Sequence, residues 1–272
     1  ITLITSYAGF MSGLFYSCLL LGLGYLISKP KIKKLQFWKG PGIGIKRTAA
    51  NKNNHWYLVP LSIPEHLLIL IWLVFIFRQF MYEPFVVPSG SMLPTIKHWD
   101  IVLVDKNYYG FKNPVNNQIF IKNHQIERGD IITFTYENGG INYVKRVIGL
   151  PGDKISYYNR ELKINQQKIE NIKLTPYGFT EQGHVLSTIK YEENLFDKKI
   201  NVLYDRKIPS FVPEEIENFK DREYCNFQFN GFDCLIPANK YFVFGDNRDY
   251  SKDSRYLGFV EKEKIQGKLK MI

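Results

Sequence analysis

The chain of 272 residues is 45% hydrophobic and 23% charged, with 36 Lys+Arg, 26 Asp+Glu and three cysteines. This composition excludes a disordered, collagen-like or disulfide-dense miniprotein, and the length allows one sizeable core or a modest domain with something smaller beside it. The net charge of +10 is uneven: residues 1–81 hold nine bases and the single acid Glu65, which leaves residues 82–272 with 27 bases and 25 acids.

Residues 1–27 carry no charge. At ~1.5 Å per helical residue they are long enough to cross ~30 Å of hydrocarbon, so a first transmembrane helix is predicted. The basic residues follow this run, whereas a cleaved secretory signal would have them in front. Residues 28–57 hold Lys29, Lys31, Lys33, Lys34, Lys39, Lys46, Arg47 and Lys52, with no acid, around the flexible stretch Gly40–Gly44. A basic loop between apolar segments is retained on the cytoplasmic side. It has few aromatics for base stacking, so nucleic acid is not an expected partner. Residues 58–82 form the second expected span. Their uncharged stretch, Leu67–Phe77, is short of the ~20 residues usual for a crossing, which keeps an interfacial helix as the alternative. Two spans with the loop inside place residues 83–272 on the exported side, with membrane lipid as a partner.

Beyond residue 83 the periodicity becomes short. VVPSGSM, DIVLVDK, DIITFTY, INYVKRVIGL, KISYY, ELKIN, KYFVFGD and KIQGKLKMI are brief apolar runs separated by Gly, Asn, Asp and Pro. Several alternate with period two, which predicts antiparallel strands and a mainly β domain. The stretch from about Lys168 to Lys240 is too weakly patterned to assign. Cys18 reads as apolar filling in the first span. In an oxidising compartment Cys225 and Cys234 are expected to close a disulfide rather than remain two free thiols.

The five histidines are scattered, and no metal-binding spacing, GxSxG elbow or phosphate loop occurs. No metal or cofactor is therefore expected, and the chemistry falls to Lys, Asp, Glu and hydroxyls. Pro88-Ser89-Gly90-Ser91-Met92-Leu93-Pro94 is a constrained turn able to present a serine hydroxyl. Tyr143-Val144-Lys145-Arg146-Val147 puts a lysine into an apolar strand. Lys145 and Arg146 alternate across that strand, so one of them faces inward unless it is an edge. A desolvated lysine loses its proton more readily and can act as a general base. His98 is an alternative base. Gly245–Val260, dense in short polar side chains and Asp/Arg pairs, reads as a clamp beside the site.

Taken together, PSGSMLPT, RGDIITF (128–134), YVKRVIGLPGDKI (143–155) and GDNRDYSKDSRYLGFV (245–260), in this order after two spans and a basic loop, resemble the bacterial type I signal peptidases of the Gram-negative, two-span kind. The resemblance implies a mainly β, antiparallel-sheet catalytic domain of that type over 83–272, preceded by two transmembrane α-helices, with a variable insertion near 156–240. It implies a Ser/Lys endopeptidase that removes signal peptides from exported precursors at the periplasmic side of the inner membrane. Ser91 would be the nucleophile and Lys145 the base. The Ser89 hydroxyl and the Ser91 amide would stabilise the oxyanion, Ser251 would orient the lysine, and Asp253 with Arg255 would brace the region. Phe85, Val87, Met92 and Val144 would line shallow pockets for small substrate side chains. No family block falls between Ile155 and Tyr241, and no functional residue is expected there. Two further readings are a self-cleaving Ser/Lys regulator and a catalytically dead peptide-binding module. The first usually adds a DNA-binding helix-turn-helix, and the second would be expected to lose Ser91 or Lys145.

Overall fold

The computed structural model describes residues 81–112, 119–136, 141–181 and 183–271, together with Leu70, Leu73 and Val74, which are helical. The chain divides into a unit Ile1–Ile76 and a unit Phe77–Ile272. The first expected span and the basic loop lie outside the described residues, as does nearly all of the second span. Among the described residues no helix is long and apolar enough to cross a membrane. The expected boundary at residue 82 shifts slightly, because Tyr82 already pairs with Asp105 as the first residue of a strand.

Alternation of small apolar and polar residues produces a mainly antiparallel β architecture. A seven-stranded sheet contains β1 (Tyr82–Val86), β2 (Ile101–Asp105), β5 (Ile131–Thr135), β6 (Asn142–Gly149), β15 (Lys240–Phe244), β16 (Val260–Glu261) and β17 (Ile265–Met271), in the spatial order β1-β2-β17-β5-β6-β15-β16. β3 (Gly110–Lys112) and β4 (Ile119–Lys122) form a separate hairpin. A five-stranded sheet, ordered β13-β14-β7-β8-β9, is built from β7 (Lys154–Tyr158), β8 (Glu161–Ile164), β9 (Gln167–Lys168), β13 (Cys225–Gln228) and β14 (Gly231–Leu235). The weakly patterned stretch holds β10 (Asn171–Glu181), β11 (His184–Leu195) and β12 (Lys198–Tyr204), paired in that order as a third sheet. The expected strand VVPSGSM is corrected: β1 ends at Val86, and the two prolines, neither of which can donate to a ladder, leave residues 87–100 as turns.

Two features of this fold position the site. Phe85 near the end of β1 and Val144 of β6 lie four strands apart in the sheet order, yet they pack on one cluster with Val87, Met92, Ile96, Val102, Ile131 and Leu269. The sheet therefore curls on itself and brings the segment after β1 to the middle of β6. Second, β6 is covered on both faces: every residue from Lys145 to Gly149 is buried. The alternation of Lys145 and Arg146 requires at least one of them to turn inward, and both are buried, on opposite faces of the strand. β13 and β14 place Cys225 opposite Cys234, and the two form a disulfide.

Candidate active site

The turn after β1 lies against the loop after β15. Ser91 is 8% exposed, and its Oγ is 2.5 Å from Lys145 Nζ. Ser89 is exposed, with its Oγ 3.3 Å from Ser91 Oγ. Among the described residues no backbone acceptor takes the Ser91 amide. The loop from Gly245 fixes this turn from behind: the Asn247 amide donates to Ser91 O at 3.0 Å, and Asn247 Nδ2 donates to Gly90 O at 3.0 Å. Gly245 must be glycine for close approach, because a Cβ there would sit 2.2 Å from Ser251 Oγ and 2.5 Å from Ser91 O.

Lys145 is 4% exposed. Burial pulls its ammonium down from the ordinary 10.5 to about 8; the Asp253 carboxylate pushes back up, while the Arg255 guanidinium pulls further down. Asp253 is itself fully buried, which alone would raise its pKa. The charge and hydrogen bonds of Arg255 and the Gly245 amide outweigh burial and hold it below the usual carboxylate range. Arg255 donates to both carboxylate oxygens, from Nε at 2.8 Å and Nη2 at 2.9 Å. Asp253 also caps the short helix α1 (Ser254–Leu257) by accepting from the Arg255 amide.

Arg146 takes the other side of β6. Its Nε and Nη2 donate to the two oxygens of Asp246 at 2.7 and 2.6 Å, and Thr95 Oγ1 donates to the same carboxylate at 2.5 Å. The Asp246 pair thus ties strand, serine turn and loop together, a role that spacing alone does not reveal.

The remaining expected residues fall as follows. Ser251 is buried and its Oγ has no hydrogen-bond partner, so the expected orienting bond to Lys145 is not made; Nζ is turned to Ser91 instead. Phe85 and Val144 are half-buried and Val87 is 4% exposed, all on the cluster under the turn. Met92 is fully buried in that cluster, so it shapes the floor rather than an open surface. His98 packs its ring over Gly90, where a Cβ would meet Cε1 at 2.5 Å, and its Nε2 lies 3.9 Å from Glu181.

Two strand edges face this site. β1 is the outer strand of its sheet. β15 pairs only with residues 146–149 of β6, so among the described residues no strand covers Asn142–Lys145 on that side. An extended peptide can add at such an edge by main-chain hydrogen bonds.

A hydroxyl, an amine whose pKa burial lowers to about 8, and a backbone amide with no backbone acceptor, near an open strand edge, are the parts of a hydrolase that acts on extended peptides. A family model described as "Signal peptidase, peptidase S26" matches residues 61–272. The chain is 39% identical to the signal peptidase I of Buchnera aphidicola subsp. Schizaphis graminum, over 72% of this chain and 69% of that protein. It is 31% identical to the enzyme of the Acyrthosiphon pisum subspecies, over 95% and 87%, and 34% identical to that of Pseudomonas aeruginosa, over 73% and 67%. The chain belongs to the signal peptidase family, peptidase S26.

Proposed function

We propose that the protein cleaves signal peptides from exported precursors by a Ser91/Lys145 dyad through an acyl-enzyme. Neutral Lys145 takes the Ser91 proton as Oγ attacks the scissile carbonyl, then gives that proton to the leaving amine. The same amine next activates the water that hydrolyses the Ser91 ester. The Ser89 hydroxyl and the Ser91 amide are the donors for the tetrahedral oxyanion, each worth about 2.7–4 kcal/mol in the transition state. The substrate extends between the edges of β1 and β6, and its small side chains rest on the surface carrying Phe85, Val87 and Val144. Residues 1–27 and 58–81 anchor the enzyme in the inner membrane with the loop 28–57 inside, and the β domain works on the periplasmic side. Tethering enzyme and membrane-borne substrate to one surface raises their effective concentration.

The observation that carries this reading is the 2.5 Å approach of a buried, low-pKa amine to a serine hydroxyl. Family membership supports the substrate class. Ser91→Ala in the full chain is expected to reduce precursor cleavage by about a thousandfold or more while the protein still folds and inserts. Normal processing by this variant would overturn the assignment.

A further inference from the structure

The Gly245–Ser251 loop holds the serine turn, and β6 grips that loop through the Arg146–Asp246 pair. Besides that pair, a second anchor comes from the insertion near 156–240, where the sequence predicts no functional residue. Glu193 of β11 is 1% exposed and Arg248 is fully buried. Arg248 donates from Nη2 to Glu193 Oε2 at 2.6 Å and from Nη1 to Glu193 Oε1 at 2.9 Å. Tyr204 of β12 donates to Glu193 Oε1 at 2.7 Å, while Arg248 Nε donates to Gly245 O at 3.1 Å. The carboxylate therefore meets a forked guanidinium that also closes the loop on itself. Next to Arg248 stands Asn247, whose amide and side chain are bonded to Ser91 O and Gly90 O.

A buried ion pair is a poor way merely to dock two elements, since apolar residues of similar volume often do as well or better. A bidentate arginine–carboxylate contact instead fixes direction. The direction fixed here is that of the backbone one residue from Asn247. We propose that Glu193 is a positioning residue for the nucleophile: through Arg248 it sets Asn247, and through Asn247 it sets the Gly90–Ser91 backbone against Lys145. The three-stranded insertion thus takes part in catalysis without touching substrate. This inference rests on the reading of Ser91 and Lys145 as the dyad.

The test uses the full chain in detergent with a precursor substrate. Glu193→Gln keeps the shape and removes the charge. It is expected to lower kcat about ten- to a hundredfold with KM within about twofold, as a small displacement of reacting groups does. Amide exchange should quicken in the peptides carrying residues 245–250 and 88–93 while β2 and β17 remain protected. Asn247→Ala removes the Nδ2 bond to Gly90 O and keeps the amide bond to Ser91 O, so in that background the kcat loss caused by Glu193→Gln should be clearly smaller than in wild type, because half of the path is already gone. A structural pair alone would lower thermal stability, loosen the whole domain and add its effect independently of Asn247. That pattern, or a kcat equal to wild type, would overturn the proposal. Should Glu193→Gln fail to fold, Tyr204→Phe, which removes one hydrogen bond from the carboxylate, is expected to give the same exchange pattern with a smaller loss of kcat. Wild-type values there would overturn the proposal too. Ser91→Ala in the same assay separates the two claims: cleavage by that variant sinks the dyad, whereas its inactivity beside a fully active Glu193→Gln sinks only the positioning role.

Discussion

Lys145→Met should abolish cleavage and make the protein more stable. The structure puts the amine of Lys145 in a site that disfavours its charge, with a drop from 10.5 to about 8. At 1.36 kcal/mol per pKa unit this is about 3 kcal/mol held against folding when the group is protonated in the unfolded chain. The sign follows from proton counts. Below pH 8 both folded and unfolded states bind the proton and the full penalty is present. Between about 8 and 10.5 only the unfolded state binds it, so stability rises with pH, and above that range the penalty is gone. Methionine has a similar length and no charge. Its substitution leaves the Ser91 hydroxyl without one partner, which costs about 1 kcal/mol, so the net gain near pH 7 is about 2 kcal/mol. For a domain of this size that is a rise in Tm of about 4–8 °C. The assay is thermal unfolding of the full chain in detergent, followed by tryptophan fluorescence at pH 7 and pH 10, beside precursor cleavage. The advantage of the variant should shrink at pH 10. A variant less stable than wild type at pH 7, or an advantage independent of pH, would refute the claim that burial opposes the ammonium.

Asp253→Asn leaves Arg255 buried without its counter-charge, which destabilises by about 3–5 kcal/mol and should lower Tm by more than about 6 °C in the same melt. Where folded enzyme is recovered, its activity should persist to lower pH than that of wild type, because the Asp253 charge favours the Lys145 ammonium and its removal lowers that pKa. Gly245→Ala places a methyl group against Ser91 O and Ser251, displacing the nucleophile. A kcat reduced about a hundredfold with KM little changed is expected from steady-state cleavage.

The parts of this structure readable from sequence are those in which one side chain reports one environment. β7 and β8 alternate in composition because Ile155, Tyr157, Leu162 and Ile164 alternate into the core. Lys145 stands out because, Arg146 aside, the run from Tyr143 to Leu150 around it is uncharged and mostly apolar. β11 is illegible for the opposite reason: the run Glu192-Glu193-Asn194 reads as a solvated face, yet Glu193 is buried against an arginine 55 residues further along. β10 is exposed along most of its length, and the alternation begun by Ile172 and Leu174 is broken at Pro176 and Gly178, so it marks no buried face. Arg146 was ambiguous in the same way. Its burial depends on Asp246, 100 residues away, and local sequence holds no trace of that partner. Ser251 shows the converse, a motif position whose expected contact is replaced by a more direct one between Lys145 and Ser91.

Cleavage depends on an amine that works uncharged in the folded enzyme. The most direct measurement is the pH dependence of kcat/KM for precursor cleavage by the full chain between pH 6 and 10. With Lys145 near 8, roughly a tenth of the enzyme is competent at pH 7 and about nine-tenths at pH 9. The predicted profile climbs about tenfold between those points, with its midpoint near 8. A rate that is level across the range, or that falls as the pH rises from 7 to 9, would contradict a neutral Lys145 as the base for Ser91.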